Sequence, residues 1–226
     1  MKIYGHPWSI NTRKALMAAA EKGHALELAL VMIPKGEHKR PEHVALHPFG
    51  KVPVLQHEAF LLYETQAINR YLDRTLSGPA LVPSDPRGAA RVDQWIGVAD
   101  SYFSPNAQPF IVETMFRRYL GGEQNARAIE AGRAGMQPVL DTAERRLAAS
   151  PYLAGDELSL ADIHFMPYVE YLMRIGASEL VTSRKSFAAW WERVSSRASW
   201  QRVARSGPQP YEPGMTADAV ERQYRE

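Results

Sequence analysis

The strongest constraint on the fold is a change of periodicity near residue 76. Before it, short apolar runs of strand length alternate with helical stretches; after it, helical periodicity is almost the whole signal. Lys2 to Gly5 is a short strand candidate. Asn11 to Lys22, rich in Ala, Leu, Met, Lys and Glu, reads as a helix stopped by Gly23. Leu26 to Ile33 is apolar and bounded by Pro34, so it reads as a buried strand. Val52 to Leu55 and Ala59 to Leu62, with Gln56–Glu58 between them, have hairpin spacing. Glu64 to Leu76 is helical. The order βαβ then ββα implies a small mixed sheet covered by helices.

The remainder reads as helix: Arg87 to Arg118, with Pro105 and Pro109 implying a kink or break, then Asn125 to Ala149, Leu160 to Ile175, Phe187 to Val194 and Trp200 to Arg205. The tail from Gly207 carries Pro208, Pro210 and Pro213 and reads as irregular at least to Gly214. Composition changes at the same place. Six of the seven lysines (all but Lys185) and six of the seven histidines (all but His164) precede residue 76, and the basic charge beyond it is nearly all arginine. Residues 77–85, SGPALVPSD, hold Gly78, Pro79 and Pro83 and read as a linker. The expected division is therefore 1–76, linker 77–85, and 86–226 as a helical domain with an irregular tail.

With 226 residues the chain can bury a full core without covalent staples. It has no cysteine, which excludes a disulfide scaffold, a zinc finger, an iron–sulfur ligand set and a protein thiol nucleophile. A net charge of +2 argues for neither a nucleic-acid nor an anionic-membrane partner. No apolar run is longer than that from Leu28 to Ile33, far short of a spanning helix, and the first residues show no signal-peptide core. The expectation is a soluble, cytoplasmic protein. Dinucleotide, phosphate-loop, helical zinc and nucleophile-elbow motifs are absent. His38, His43 and His47 suggest a metal only superficially, because Pro41 and Pro48 confine any helix there to one or two turns; no metal is expected.

Five segments remain to be explained: Trp8-Ser9-Ile10-Asn11-Thr12-Arg13, Glu37-His38-Lys39-Arg40-Pro41-Glu42-His43, Pro48-Phe49-Gly50-Lys51-Val52-Pro53-Val54-Leu55, Leu62-Tyr63-Glu64-Thr65-Gln66-Ala67-Ile68, and Leu158-Ser159-Leu160-Ala161-Asp162. Each has a plain structural reading. Ser9 is a good N-cap for the helix that follows, and Glu64-Thr65 supplies an acid and a hydroxyl to a first turn. His38-Lys39 suits a solvated loop, Pro53 suits a strand start, and Ser159-x-x-Asp162 is a capping box.

Taken together at their mutual spacing, these segments resemble the glutathione S-transferase family, and most closely its serine-type, phi-like branch of bacteria and plants. The resemblance spans roughly residues 1 to 205. It implies an α/β thioredoxin-like N-terminal domain, an all-α C-terminal helical bundle, glutathione as co-substrate and a homodimer in the cytoplasm. It implies no metal, and detoxification of hydrophobic electrophiles as the role. By the same resemblance Ser9 donates a hydrogen bond to the glutathione sulfur. Tyr4 is the rival, because other branches use a tyrosine at the end of this strand. Asn11 and Thr12 are secondary donors or simply first-turn residues. Val52 and a cis Pro53 present backbone to the cysteinyl unit. Glu64 and Thr65 hold the γ-glutamyl end, with Thr65 where close relatives usually have Ser. His38 and Lys39 meet the glycyl carboxylate. Lys51, where phi-like members often have Gln, adds a cation there or points into water. Trp8, Ile10, Ile33, Val112 and Phe116 form the apolar wall for an electrophile, expected between the domains. Asp162 is expected to be structural. A glutathione-binding carrier without turnover, or a glutathione-dependent peroxidase or isomerase, would use the same fold. Thiol transfer through a protein mixed disulfide is disfavoured, because there is no cysteine to form one.

Overall fold

The computed structural model describes residues 1–205, 209–212 and 214–225. Two compact units are present: residues 1–79 together with the stretch from 198 onward, and residues 80–197. In the first unit a four-stranded sheet has the order β2-β1-β3-β4, built from β1 (Lys2–Gly5), β2 (Glu27–Leu30), β3 (Val54–His57) and β4 (Phe60–Tyr63). β1 runs parallel to β2, Lys2 opposite Glu27 and Gly5 opposite Leu30; β1–β3 and β3–β4 are antiparallel. Parallel pairing needs a crossover, and α1 (Ile10–Glu21) is that crossover.

β2 is shorter than its apolar run. The Val31 amide still reaches the Gly5 carbonyl at 2.8 Å, but the Met32 amide leaves the sheet for the Glu37 carboxylate at 2.7 Å, and a 3-10 turn follows at Ile33–Lys35. In the hairpin β3 sits two residues and β4 one residue later than spacing alone suggests. Pro53 has no N–H to donate, so pairing starts at Val54, and a two-residue turn at Glu58-Ala59 uses a left-handed Glu58 (φ 56). α3 (Thr65–Thr75) lies beside α1, buries Ile68 and Leu72, and is tied to the end of α1 by a buried ion pair of 3.2 Å between Lys22 and Asp73.

The C-terminal stretch belongs to this unit, contrary to its assignment to the helical domain. α11 (Ala198–Ala204) buries Trp200 and packs on α1, and α12 (Ala217–Arg225) packs against β2. Local patterning cannot reveal this, because the partner surface lies about 180 residues away in sequence. Of the tail read as irregular, Gly207, Pro208 and Pro213 fall outside the described residues; Pro210 and Gly214 lie in turns.

The second unit is helical among its described residues. Of the kink or break expected at Pro105 and Pro109, the break does not occur, and the helical hydrogen bonding is instead irregular. α4 (Pro86–Val98), α5 (Ser104–Ile111) and α6 (Arg117–Leu120) run on as one rod through two π-helical stretches, 99–103 and 112–116. The Ser104 and Arg117 amides reach back five residues to the Ala99 and Val112 carbonyls; Pro105 directly follows the first π stretch, whereas Pro109 lies inside α5. α7 (Ala126–Leu147), capped by Asn125, packs on α5, and α8 (Leu160–Arg174) runs through the core. α2 (Pro41–Val44), α9 (Glu179–Thr182) and α10 (Lys185–Ser195) complete the set.

Asp162 bears out the structural expectation. Its buried carboxylate accepts from the Leu153 and Ser159 amides and the Ser159 hydroxyl, each at 3.0 Å, and from Trp190 Nε1 at 2.9 Å. Burial pushes this carboxyl above its ordinary range, and the donors work against that push. Among the described residues no helix is long and apolar enough to cross a membrane.

Candidate glutathione site

Strand register gathers the predicted site from distant parts of the chain. Tyr4 pairs with Val54, so the turn after β1, which carries Ser9, lies at the same end of the sheet as the start of β3. Val54 also pairs with Tyr63, which brings Glu64-Thr65 to that end as well. Val52-Pro53, whose peptide bond is cis, sits between them.

Ser9 is the N-cap of α1. Its oxygen accepts from the Thr12 amide at 3.3 Å, and its own amide donates to the His6 carbonyl at 2.9 Å. As an N-cap the hydroxyl uses a lone pair and keeps its proton available to donate. The first turn of α1 contains no acidic residue, so the positive end of the helix is unopposed there. The rival hydroxyl is engaged: Tyr4 donates to Gln56 Oε1 at 2.7 Å. Asn11 is half-buried in the first turn, and Thr12 is buried.

Glu64 is exposed and holds φ 71, ψ 118, an uncommon conformation for a residue with a side chain. It precedes an α3 first turn that has no side-chain cap. A helix start of this kind is a ready place for a carboxylate. Thr65, the first residue of α3, is half-buried. His47 lies near Glu64 and stacks on Tyr63 with ring centroids 4.8 Å apart. Burial holds its imidazole below the ordinary range, while the Glu64 carboxylate pulls the other way.

The remaining cations come from two loops that lean on one another. Lys39 Nζ donates to the Phe49 carbonyl at 3.1 Å, and His43 Nε2 donates to the Lys51 carbonyl at 2.7 Å. Gly50 is in the left-handed region (φ 55), and a Cβ there would lie 2.8 Å from the His38 carbonyl oxygen, so only glycine permits this approach. Burial, then the nearby Lys39, His43 and Lys51 side chains, lower the His38 pKa. Neutral His38 is thus a hydrogen-bonding group rather than a cation, and its Nδ1 is buried with no hydrogen-bond partner. Lys51 is exposed and Val52 half-buried.

The expected apolar wall divides. Ile10 and Ile33 in the first unit, and Val112 and Phe116 in the second, are half-buried; Phe116 meets Tyr171 edge to face at 5.7 Å. Trp8 is only 2% exposed and packs edge-on to His6 at 5.2 Å. An indole so covered offers a ligand almost no surface, which makes Trp8 a core residue in this conformation. The sequence reading gave no site role to Gln56, to His47 beyond a rejected metal ligand, or to Gly50. Only the positive φ of Gly50 had a signal there, in a Gly that follows Pro48-Phe49. Among the described residues no cluster of three His, Asp or Glu side chains is placed to hold a metal.

Comparison with known proteins agrees with this geometry. Residues 8–75 match the family model for the glutathione S-transferase N-terminal domain, and residues 101–198 the model for its C-terminal domain. Glutathione S-transferase F10 of Arabidopsis thaliana is 34% identical over 207 residues, 90% of this chain and 96% of that protein. The crystal structure of glutathione transferase F7 from Populus trichocarpa superposes with a TM-score of 0.86 at 35% identity, covering 90% of this chain and 97% of the other. Glutathione S-transferase I from maize, solved in complex with an atrazine glutathione conjugate, superposes with a TM-score of 0.84 at 31% identity, covering 95% and 99%. Sequence, fold and the convergence of the expected segments at one end of the sheet lead to one conclusion: the chain belongs to the glutathione S-transferase family.

Proposed function

We propose that this chain is a glutathione transferase in which Ser9 holds the glutathione sulfur as thiolate for attack on a hydrophobic electrophile. The observation that carries the assignment is the contrast between two hydroxyls: the Ser9 hydroxyl has its proton to give at a helix start, whereas the Tyr4 proton is committed to Gln56. Ionisation sends the thiol proton to solvent. The thiolate sulfur then forms a bond to the electrophilic carbon as the leaving group departs with its electron pair. A free thiol titrates near pKa ~8.5, and lowering it by roughly two units requires about 2.7 kcal/mol of preferential thiolate stabilisation. A charge-assisted hydrogen bond from Ser9 and the start of α1 can supply that together.

In this reading the uncapped first turn of α3 and Thr65 receive the γ-glutamyl carboxylate, and Glu64 pairs with the adjacent ammonium. Val52 offers its backbone to the cysteinyl unit, with Pro53 setting the turn. Neutral His38, together with Lys39 and Lys51, faces the glycyl carboxylate; Asn11 is a secondary donor near the sulfur. Ile10, Ile33, Val112 and Phe116 are the apolar side chains assigned to the electrophile. The atrazine conjugate held by the maize relative makes a halogenated heteroaromatic compound the first electrophile to assay. A homodimer, a cytoplasmic setting and a detoxifying role accompany the family resemblance and are part of the proposal. The test is Ser9→Ala: conjugation rates should fall at least tenfold, about 1.4 kcal/mol or more in the barrier, with a modest change in glutathione affinity. An unchanged rate would remove Ser9 from the mechanism.

A further inference from the structure

The loop that carries His38 and Lys39 leans on residues 49–51 through Lys39 and His43. On its other side an open cleft of about 400 Å³ is lined by Tyr4, Leu30, Glu37, Arg40, His43 and Arg225. Across that cleft the loop is also held by charge, and the charge comes from the far end of the chain. Arg225 Nη2 lies 2.6 Å from both carboxylate oxygens of Glu37, the residue immediately before His38. Lys35 pairs with Asp218 at 2.9 Å and also with Glu221, while Arg225 Nη1 lies 2.9 Å from Glu221. Glu37 also caps the end of β2 through the Met32 amide and meets Arg40 at 3.4 Å.

An isolated surface ion pair positions little. Glu37 differs, because its side chain is only 12% exposed and joins the sheet, the loop and α12 at one carboxylate. Its pKa is held below the ordinary range by the Met32 amide and the Arg225 guanidinium, against the opposing effect of burial. We propose that α12 is a strap that sets the position of the glutathione-binding loop, with Arg225 as a positioning residue acting through Glu37. The catalytic assignment above does not require this. The inference rests on that assignment only in taking His38 and Lys39 as the glycyl contacts. A strap of this kind acts on glutathione binding and leaves the reacting sulfur untouched, so it separates KM from kcat.

The experiment compares wild type with Arg225→Ala, Arg225→Lys and Lys35→Gln in the full chain. Two readouts serve: steady-state kinetics with glutathione varied, and amide hydrogen exchange over residues 33–40. Arg225→Ala should raise the glutathione KM about fivefold and speed exchange at 33–40, with kcat and the KM for the electrophile within about twofold of wild type. Arg225→Lys should recover much of the loss, Lys35→Gln should show a smaller effect of the same kind, and about 0.5 M NaCl should shift wild type towards Arg225→Ala. Unchanged exchange at 33–40 in both Arg225→Ala and Lys35→Gln would overturn the strap. So would a fall in kcat with the glutathione KM unmoved. If wild type binds no glutathione by calorimetry, the transferase reading fails, and the exchange measurement still decides whether α12 holds the loop.

Discussion

Replacing Asp162 with alanine removes one carboxylate that four donors share. The Ser159 hydroxyl can rotate to another acceptor, but the Leu153 amide, the Ser159 amide and Trp190 Nε1 are fixed by the backbone and the packed indole. Each buried donor left without an acceptor costs about 1–3 kcal/mol, and the Ser159 amide among them is the capping-box half that Asp162 supplies to α8. Relief of the buried carboxylate's own desolvation offsets part of this, which leaves a net destabilisation of about 3–5 kcal/mol. Urea unfolding followed by tryptophan fluorescence reads this directly, since Trp190 is one of the orphaned donors. The melting temperature should fall by about 10 °C. Asp162→Asn keeps one acceptor oxygen and turns the other position into a donor facing the Ser159 amide, so it should cost roughly half as much. A cost below about 1 kcal/mol for Asp162→Ala would refute the reasoning, because it would mean that the donors find other partners.

Gly50→Ala places a methyl group 2.8 Å from the His38 carbonyl oxygen in a left-handed conformation. It should push the two cation-bearing loops apart and raise the glutathione KM several-fold with kcat little changed; an unaltered KM would count against that packing. His6, buried behind the Ser9 turn, has its pKa lowered to about 4, by burial first and then by the Arg13 cation. Between pH 6.5 and 4 the unfolded chain therefore binds more protons at this site than the folded one, so stability falls as pH falls across that window. The size is about 3 kcal/mol. His6→Asn should flatten that part of the stability–pH curve, as read by denaturant midpoints at a series of pH values; an unchanged curve would show that His6 does not titrate as stated.

Much of the fold was legible because the relevant signals are local. Ser9 before an alanine-rich run, Asn125 before α7 and Ser159-x-x-Asp162 before α8 each announce a helix start through their own chemistry. The helix from Pro86 to Leu120 was legible, but not that it continues past Pro105 and Pro109 with π stretches at 99–103 and 112–116, because nothing in the local sequence shows whether a proline will break a helix or be carried within it. At the site, the residue types at family spacing picked out segments that the strand register brings to one end of the sheet. The pairing that distinguishes Ser9 from Tyr4 was hidden, because Gln56 lies 52 residues from Tyr4 and meets it only through the β1–β3 register. The burial of Trp8 was hidden for a related reason: an indole beside a helix start looks available until the structure buries it. The strap is a long-range feature too, joining Glu37 to Arg225 across 188 residues.

The central claim is that Ser9 stabilises a glutathione thiolate, and the pKa of the bound thiol tests it most directly. Titration of thiolate ultraviolet absorbance in the binary complex should give a wild-type value near ~6.5, roughly two units below the free thiol at ~8.5. Ser9→Ala should return it most of the way to the free value, while Tyr4→Phe should leave it where wild type has it. An equal thiol pKa in wild type and Ser9→Ala, or a rise in Tyr4→Phe alone, would contradict the account.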